Sequence, residues 1–277
     1  MIYPNEEQLT PAVALHYDSL DPWYRRLWGE HVHHGYWETG KETPDEAVEK
    51  LVDLVANRAA IKEGGRVCDI GCGYGGAARL LSLKRKAAVT GFSVSSRQIE
   101  QARQLDSQST YYLRDWLENG MANASFDAAI AIESSEHMTD KQKFFDEAAR
   151  VLRPGGKVSV AAWLSKENPR PWQIQFLLEP ICREGRLPSL GTPSEYRMMM
   201  ERAGFKNVVF EDLSTAVRKT WAICGWRVVK ALREKEFRRF LFEERPKDRI
   251  FAKTIFRILF AYWTRSMAYG LFSAKRP

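Results

Sequence analysis

The stretch Arg66-Val67-Cys68-Asp69-Ile70-Gly71-Cys72-Gly73-Tyr74-Gly75-Gly76 decides the fold. A short apolar strand carries an acid near its end and runs into a turn built of glycine and small residues. Glycine lets the backbone adopt positive φ and come close to a ligand. The segment that follows, about Tyr74 to Lys84, reads as a helix whose first N–H groups point at the same ligand. Taken as G-x-G-x-x-G over Gly71, Gly73 and Gly76, the turn also fits a dinucleotide site. Two features argue against that. Asp69 stands two residues before the first glycine, where it would repel a pyrophosphate and attract an ammonium. The acid needed about 20 residues further on for the ribose of NAD is missing, since the chain there reads Thr90-Gly91-Phe92-Ser93. A turn without a ligand is the remaining alternative, although ordinary turns do not need this many glycines.

Outward from this turn, strand and helix patterns alternate. Strands are predicted over Arg66–Ile70, Ala87–Phe92, Thr110–Leu113, Phe126–Ile132 and Lys157–Trp163. The fourth is apolar nearly throughout, as a strand buried on both faces should be. Helices are predicted over Arg97–Leu105, capped by Ser95 or Ser96, and over Asp140–Leu152, stopped by Arg153-Pro154-Gly155-Gly156. Alternation of this kind implies an α/β fold with a parallel, doubly wound sheet. Upstream, Pro11–Trp28 reads as aromatic-rich amphipathic helix, and Pro44 opens a helix with Asp45, Glu46 and Glu49 in its first turns. Downstream, Asn168–Leu190 reads as a proline-rich lid insertion. A helix over Pro193–Ala203 and a sixth strand over Phe205–Leu213 come next. Two long basic helices, Ser214–Glu243 and Lys247–Met267, precede a last strand at Tyr269–Lys275.

The 277 residues fit one large domain with insertions. The expected cap elements are approximately 1–43, 164–192 and 214–268. The chain carries a net charge of +7, unevenly placed. From Arg218 to Pro277 sixteen Lys and Arg face five Asp and Glu, a local excess of +11 that leaves −4 for the rest. Such asymmetry points to an anionic surface or substrate. No nucleic-acid-binding motif accompanies it, so nucleic acid is not expected as a partner. Four scattered cysteines give neither a disulfide framework nor a zinc site. No secretory signal is legible, and a cytoplasmic protein is expected. Ile250–Phe272 is interrupted by Lys253, Arg257 and Arg265, which argues against a membrane span. A helix over 245–267 lying on an anionic membrane stays open, as does a cap helix with a solvated basic rim.

Three further strand ends carry polar groups, where open α/β sheets bind ligands. Ser93 and Gln98 follow the second strand, and Gln98 alternatively sits on a solvated helix face. Arg114-Asp115-Trp116 follows the third, where the carboxylate can accept from an amino group and the indole can cover a ring. The alternative is a strand-ending acid with a core Trp. After the fourth comes Glu133-Ser134-Ser135-Glu136-His137-Met138. His137 titrates near neutrality and suits a general base, with Glu136 as its helper. The alternative is a histidine that anchors the loop. The segment His31-Val32-His33-His34 has no acid or cysteine at ligand spacing, so no metal is expected.

These motifs resemble class I S-adenosylmethionine-dependent methyltransferases. The first turn is similar to their motif I, and Gly91-Phe92-Ser93-Val94-Ser95-Ser96-Arg97-Gln98 to a G-[LIF]-[TS]-x-S-x-x-Q subgroup that includes cyclopropane synthases. Trp28-Gly29-Glu30-His31-Val32-His33-His34-Gly35-Tyr36 and Glu133-Ser134-Ser135-Glu136-His137-Met138 resemble the gamma-tocopherol methyltransferases. The resemblance covers most of the chain from His16 onward, and the plastid transit peptide of that subgroup is absent. It implies a Rossmann-like seven-stranded sheet with helical caps. It also implies S-adenosylmethionine bound by Tyr17, Asp69, Gly71, Cys72, Gly73, Ser93, Gln98, Asp115, Trp116 and Glu133. The expected reaction is methylation of an apolar small molecule, foremost C-methylation of a phenol or quinol. O- or N-methylation and a non-catalytic cofactor- or lipid-binding scaffold are the alternatives. Trp23, Trp28, Tyr36, Trp37, Trp163 and Trp172 are expected to wall the substrate pocket.

Overall fold

The computed structural model describes residues 1–29, 31–240, 242 and 249–277. Helices α1 (Thr10–Leu27) and α2 (Pro44–Arg58) come first. Thr43 and Glu46 form a reciprocal capping box at the start of α2, with Pro44 in its first turn. Then follow β1 (Arg66–Ile70), α3 (Gly76–Arg85), β2 (Ala88–Ser93), α4 (Ser96–Leu105), β3 (Thr110–Leu113), β4 (Phe126–Ile132), α5 (Lys141–Val151) and β5 (Leu152–Ser165). β1, β3 and β4 have the predicted bounds. Ser95 caps α4 by accepting from the Gln98 N–H. β5 begins at Leu152, earlier than predicted, and takes Arg153-Pro154-Gly155-Gly156 into the strand at the cost of an irregular register opposite Phe126 and Ala128.

The rest of the chain forms α6 (Pro171–Gln173), one π-helical turn (Ile174–Leu178), α7 (Glu179–Glu184), α8 (Pro193–Arg202), β6 (Lys206–Asp212), α9 (Ser214–Val217), α10 (Lys219–Ala231), α11 (Lys235–Arg239), α12 (Arg249–Trp263) and β7 (Met267–Lys275). The π turn precedes Pro180, which has no N–H to give to the turn before it. The two long helices predicted over 214–267 are broken into shorter ones. α10 ends so that the chain can turn at Glu234, which is extended and paired with Arg26. Phe237 and Phe240 then fold back onto Trp23, with ring centroids at 4.8 and 5.0 Å. Residues 241, 243, 247 and 248 of these two predicted helices lie outside the described residues.

The seven strands lie in the order β3-β2-β1-β4-β5-β7-β6. β1 to β5 pair in parallel. β7 corrects the expectation of a wholly parallel sheet, because it runs antiparallel to both β5 and β6. α10 and α12 stay at the carboxyl end of the sheet, where they line a cavity with Glu133 and His137. The chain therefore re-enters the sheet from that end. Successive strand residues point to opposite faces. Val67, Ala128 and Ile130 accordingly join one core with α2 and α3, while Cys68, Ala129 and Ala131 join another with α5 and α8. From β1 the chain steps outward to β3 and returns on the other side as β4. That reversal opens a crevice between the carboxyl ends of β1 and β4, where such sheets bind ligands.

Candidate active site

The turn after β1 passes so close to the end of β4 that only glycine fits. A Cβ on Gly71, where φ is +78°, would stand 2.2 Å from the Cβ of Ser134. Gly73 also has positive φ, +54°, but a Cβ there would meet nothing within 4 Å. Gly73 borders a cavity at the carboxyl ends of β1 to β4, with about 970 Å³ of space that is partly open to solvent. All ten residues expected at the cofactor, from Tyr17 to Glu133, line this one cavity.

Asp69 is buried there, and its Oδ2 has no hydrogen-bond partner among the described residues. Burial pushes its carboxyl up to about 7. Gln98 is buried rather than solvated, and its Oε1 accepts from the Ser93 hydroxyl at 2.8 Å. Asp115 accepts from the Leu117 N–H at 2.9 Å and, through its other oxygen, from the Thr10 hydroxyl at 2.9 Å. Trp116 is a core residue whose ring borders the cavity. Its indole N–H donates to the Phe144 carbonyl, and its ring meets Phe92 edge-on.

Helix α1 lies across these loops and is fastened to four of them. Besides Thr10, Asp18 accepts from the Ser95 hydroxyl and the Arg97 N–H at the start of α4. Asp21 accepts from the Tyr74 hydroxyl at 2.8 Å, and the Tyr17 hydroxyl meets His137 Nε2 at 2.9 Å.

A second cavity, with about 780 Å³ of empty space, adjoins the first and shares Tyr17, Val32, Glu133 and His137 with it. Tyr24, Trp28, Trp163 and Trp221 supply aromatic walls, and Ile255 and Ile258 of α12 line it too. Of the six aromatic residues predicted as walls, Trp28 and Trp163 are here. Trp23 packs on α11, and Trp37 donates to Thr220 beside a different cavity. Tyr36 is partly buried against the core, and Trp172 is exposed.

His137 stands on the boundary of the two cavities. Its Nδ1 lies 3.3 Å from the Arg186 carbonyl, which can only accept. The ring therefore carries its proton on Nδ1, and Nε2 accepts from Tyr17. Burial lowers the imidazole to about 4, so it is neutral at pH 7. Glu136 faces the second cavity but makes no hydrogen bond to His137. It accepts instead from the Trp163 backbone N–H and the Ser135 hydroxyl. Burial pushes it up to about 7.

Glu133 is held most tightly. One carboxylate oxygen accepts from the His34 backbone N–H at 2.6 Å, from His34 Nδ1 at 2.9 Å and from the Tyr269 hydroxyl at 2.8 Å. The other accepts from the Trp163 indole at 2.7 Å. Burial alone would raise it, but the His34 imidazole and these bonds outweigh burial and hold it at about 2. The Trp221 indole, a donor only, reaches His34 Nε2 at 2.6 Å, which fixes the His34 proton on Nδ1. His33 Nδ1 lies 2.7 Å from the His34 carbonyl and its Nε2 lies 3.1 Å from His31. Among the described residues no group of three His, Cys, Asp or Glu side chains is arranged to hold a metal ion.

Residues 36–209 match the model of a methyltransferase domain family. The chain belongs to that family. It is 31% identical over 268 residues to 27-O-demethylrifamycin SV methyltransferase of Amycolatopsis mediterranei, covering 94% of this chain and 95% of that one. It is 27% identical over 239 residues to the chloroplastic tocopherol O-methyltransferase of Arabidopsis thaliana, covering 78% and 68%. The cyclopropane synthase MmaA2 from Mycobacterium tuberculosis shares the fold, with a TM-score of 0.84, 17% identity and coverage of 98% and 100%. This methyltransferase uses S-adenosylmethionine and acts on small molecules. The cavity fits that cofactor, with an orphaned buried carboxylate oxygen for its ammonium and open space beside Gly73.

Sequence reasoning missed the partners of Glu133. His34, Trp163 and Tyr269 come from distant parts of the chain, and no local pattern joins them. It also missed Lys141, whose only signal was its place just after the histidine loop.

The buried titratable groups set the acid stability of the methyltransferase. Burial holds His16 and His31 to about 3 and His137 to about 4, and lowers His33. As pH falls below the ordinary histidine value, the unfolded chain takes up protons that the fold refuses, so stability is lost. Asp69 and Glu136, raised to about 7, act in the opposite sense, because the fold takes up their protons before the unfolded chain does. Three histidines held to about 3 or 4 outnumber the two carboxyls and leave a net excess of about one proton on the unfolded chain near pH 5, to which His33 adds in the same sense. One proton is worth roughly 1.4 kcal/mol per pH unit. Urea midpoints should therefore fall steadily from pH 6.5 to 5. The fall should steepen in an Asp69→Asn, Glu136→Gln double variant, and an unchanged slope there would show that these carboxyls do not oppose the histidines.

Proposed function

We propose that this methyltransferase methylates a hydroxyl group on an apolar, ring-bearing small molecule. The observation that carries this reading is the Tyr17–His137 pair on the boundary between a cavity fitted to the cofactor and a cavity walled by aromatic side chains. The bound cofactor supplies an electrophilic methyl on a positively charged sulfur. The protein's part is to align the acceptor, exclude water and remove a proton.

Asp69 receives the cofactor ammonium on its free oxygen, and that cation restores the carboxylate that burial disfavours. Ser93 and Gln98, which line the same cavity, would hold the ribose diol. Asp115 keeps lone pairs for the adenine amino group, because each of its oxygens accepts only one bond from the protein. His137 Nε2 takes the proton of the acceptor hydroxyl once Tyr17 turns away. The Arg186 carbonyl then faces the Nδ1–H of the resulting imidazolium.

Because the base stands on the boundary, the oxygen it deprotonates is the acceptor atom closest to the cofactor. A base in this position supports an oxygen acceptor over the ortho ring carbon expected from the sequence. The name of the relative that matches over nearly the whole chain, 27-O-demethylrifamycin SV methyltransferase, points to an oxygen acceptor in that protein.

Helix α12 bears on how such a molecule arrives. Ile255 and Ile258 line the aromatic cavity, while Phe256, Phe260 and Trp263 follow at i, i+4 and i+7 on the opposite side. Those three are 54, 44 and 76% exposed. No helix among the described residues is long and apolar enough to cross a membrane. The exposed row, in a region with a local charge of +11, instead rests on an anionic lipid surface from which the substrate enters.

Four measurements test this reading. Calorimetry with S-adenosylhomocysteine should show Asp69→Asn weakening affinity roughly 10- to 100-fold, and unchanged affinity would remove Asp69 from the ammonium site. With labelled cofactor and trimethylhydroquinone, which offers hydroxyls and an open ring carbon, the product should be a methyl ether. A ring-methylated product moves the acceptor to carbon. His137→Ala should lower kcat by roughly 10²–10⁴, and an undiminished rate would return His137 to a structural role. Finally, the protein should float with anionic but not zwitterionic vesicles, less so in salt or as Trp263→Ser. No flotation at low salt would leave α12 as a packed cap.

A further inference from the structure

Lys141, the first residue of α5, is buried, and all three of its ammonium hydrogen bonds go to neutral oxygens. It donates to the Glu136 carbonyl at 3.0 Å, to the Met138 carbonyl at 3.2 Å and to the Ser189 hydroxyl at 2.9 Å. The first two carbonyls lie on either side of His137 in the chain. Ser189 and Arg186 belong to the segment after α7, so this insertion grips the histidine loop twice. The Arg186 carbonyl holds the ring, and Ser189 holds the lysine that holds the loop. A buried cation in such a place costs desolvation energy that an apolar residue would avoid. A core built for stability alone has no need of it.

We propose that Lys141 is a positioning residue for methyl transfer, whose ammonium clamps the carbonyls flanking His137 and fixes the imidazole between the cofactor and acceptor cavities. The proposal rests on the reading of His137 as the base. Two effects reach the ring. The clamp fixes the backbone on both sides of His137, so that Nδ1 meets the Arg186 carbonyl and Nε2 turns toward Tyr17. The positive charge of Lys141 also disfavours a second proton on the ring and helps keep it ready to accept one from substrate. The other groups that meet or act on the ring are the Tyr17 hydroxyl of α1, Glu133 of its own loop and the Arg186 carbonyl, and the ring in turn disfavours a proton on His16 of α1. Burial and Lys141 act against the imidazolium, while Glu133 and the Arg186 carbonyl, which accepts from Nδ1, favour it.

The test is a nitrogen NMR titration of His137 in the S-adenosylhomocysteine complex, which needs no knowledge of the natural acceptor. Wild type should show a neutral ring protonated on Nδ1, titrating near 4. Lys141→Met keeps the apolar stem and removes the charge. It should raise the midpoint by about one pH unit or more and weaken the Nδ1 hydrogen-bond signature. Cofactor affinity should stay within about threefold, because Lys141 lies outside the cofactor cavity. Turnover of trimethylhydroquinone should fall roughly 10- to 100-fold in kcat with little change in KM. An unchanged midpoint and tautomer in folded Lys141→Met would overturn the proposal while leaving the base reading intact. An undiminished rate in His137→Ala would overturn the base reading, and the proposal with it, whatever the NMR shows. If Lys141→Met does not fold, Ser189→Ala removes one leg of the clamp and keeps the cation. A weakened Nδ1 signature is then expected, and an unchanged one overturns the clamp.

Discussion

A single buried carboxylate, Glu133, holds the two halves of the molecule in register. It sits just past β4 with φ +53°, a left-handed backbone that few side chains tolerate. Its four donors come from His34 in the segment before α2, Trp163 on β5 and Tyr269 on β7. Through His34 the contact extends to Trp221 of α10. A carboxylate buried alone would be strongly unfavourable, and one buried with a full set of donors becomes a point of specification. The left-handed turn aims it, the sheet supplies two of its partners, and the cap supplies the others. Where the cap sits over the sheet, and so where the two cavities meet, follows from this one anion.

The two cavities differ in what their walls offer. The first is polar where the strand ends meet it, with carboxylates and amide groups spaced along one side. The second is aromatic and apolar, with His137 at the joint. This separation suits a reaction between a charged reagent and an apolar one, because each is desolvated in surroundings of its own kind. Fold alone would not support such a conclusion, since one architecture hosts many chemistries. The arrangement of side chains on the shared boundary carries it.

Much of this was legible in the sequence because it is local. Gly71, Gly73 and Asp69 form a short pattern dictated by a turn, and the apolar run of β4 follows from burial on both faces. Residues named from separate strand ends fall along one cavity because each strand end delivers its own loop to the same crevice. What escaped notice depends on long-range closure. The reversal of β7 depends on where the preceding helices lie. The break after α10 depends on Trp23, more than two hundred residues earlier in the chain. Trp116 reads from its position as a ring cover or a core residue, and only the structure shows it buried at the cavity wall with its indole N–H donated to the Phe144 carbonyl.

The place of β7 has a bearing on how the protein is made. It is the last of the seven strands to leave the ribosome, yet it lies inside the sheet between β5 and β6. Until it arrives, β6 has no neighbour to pair with and β5 presents an open edge. Glu133 meanwhile lacks the hydroxyl of Tyr269. The nascent chain must therefore wait with a half-built sheet, its central carboxylate short of a donor, and exposed strand edges of that kind invite misassembly. Synthesis of β7 is thus the step that commits the chain to its fold, and the anchor of the active site is completed in the same event.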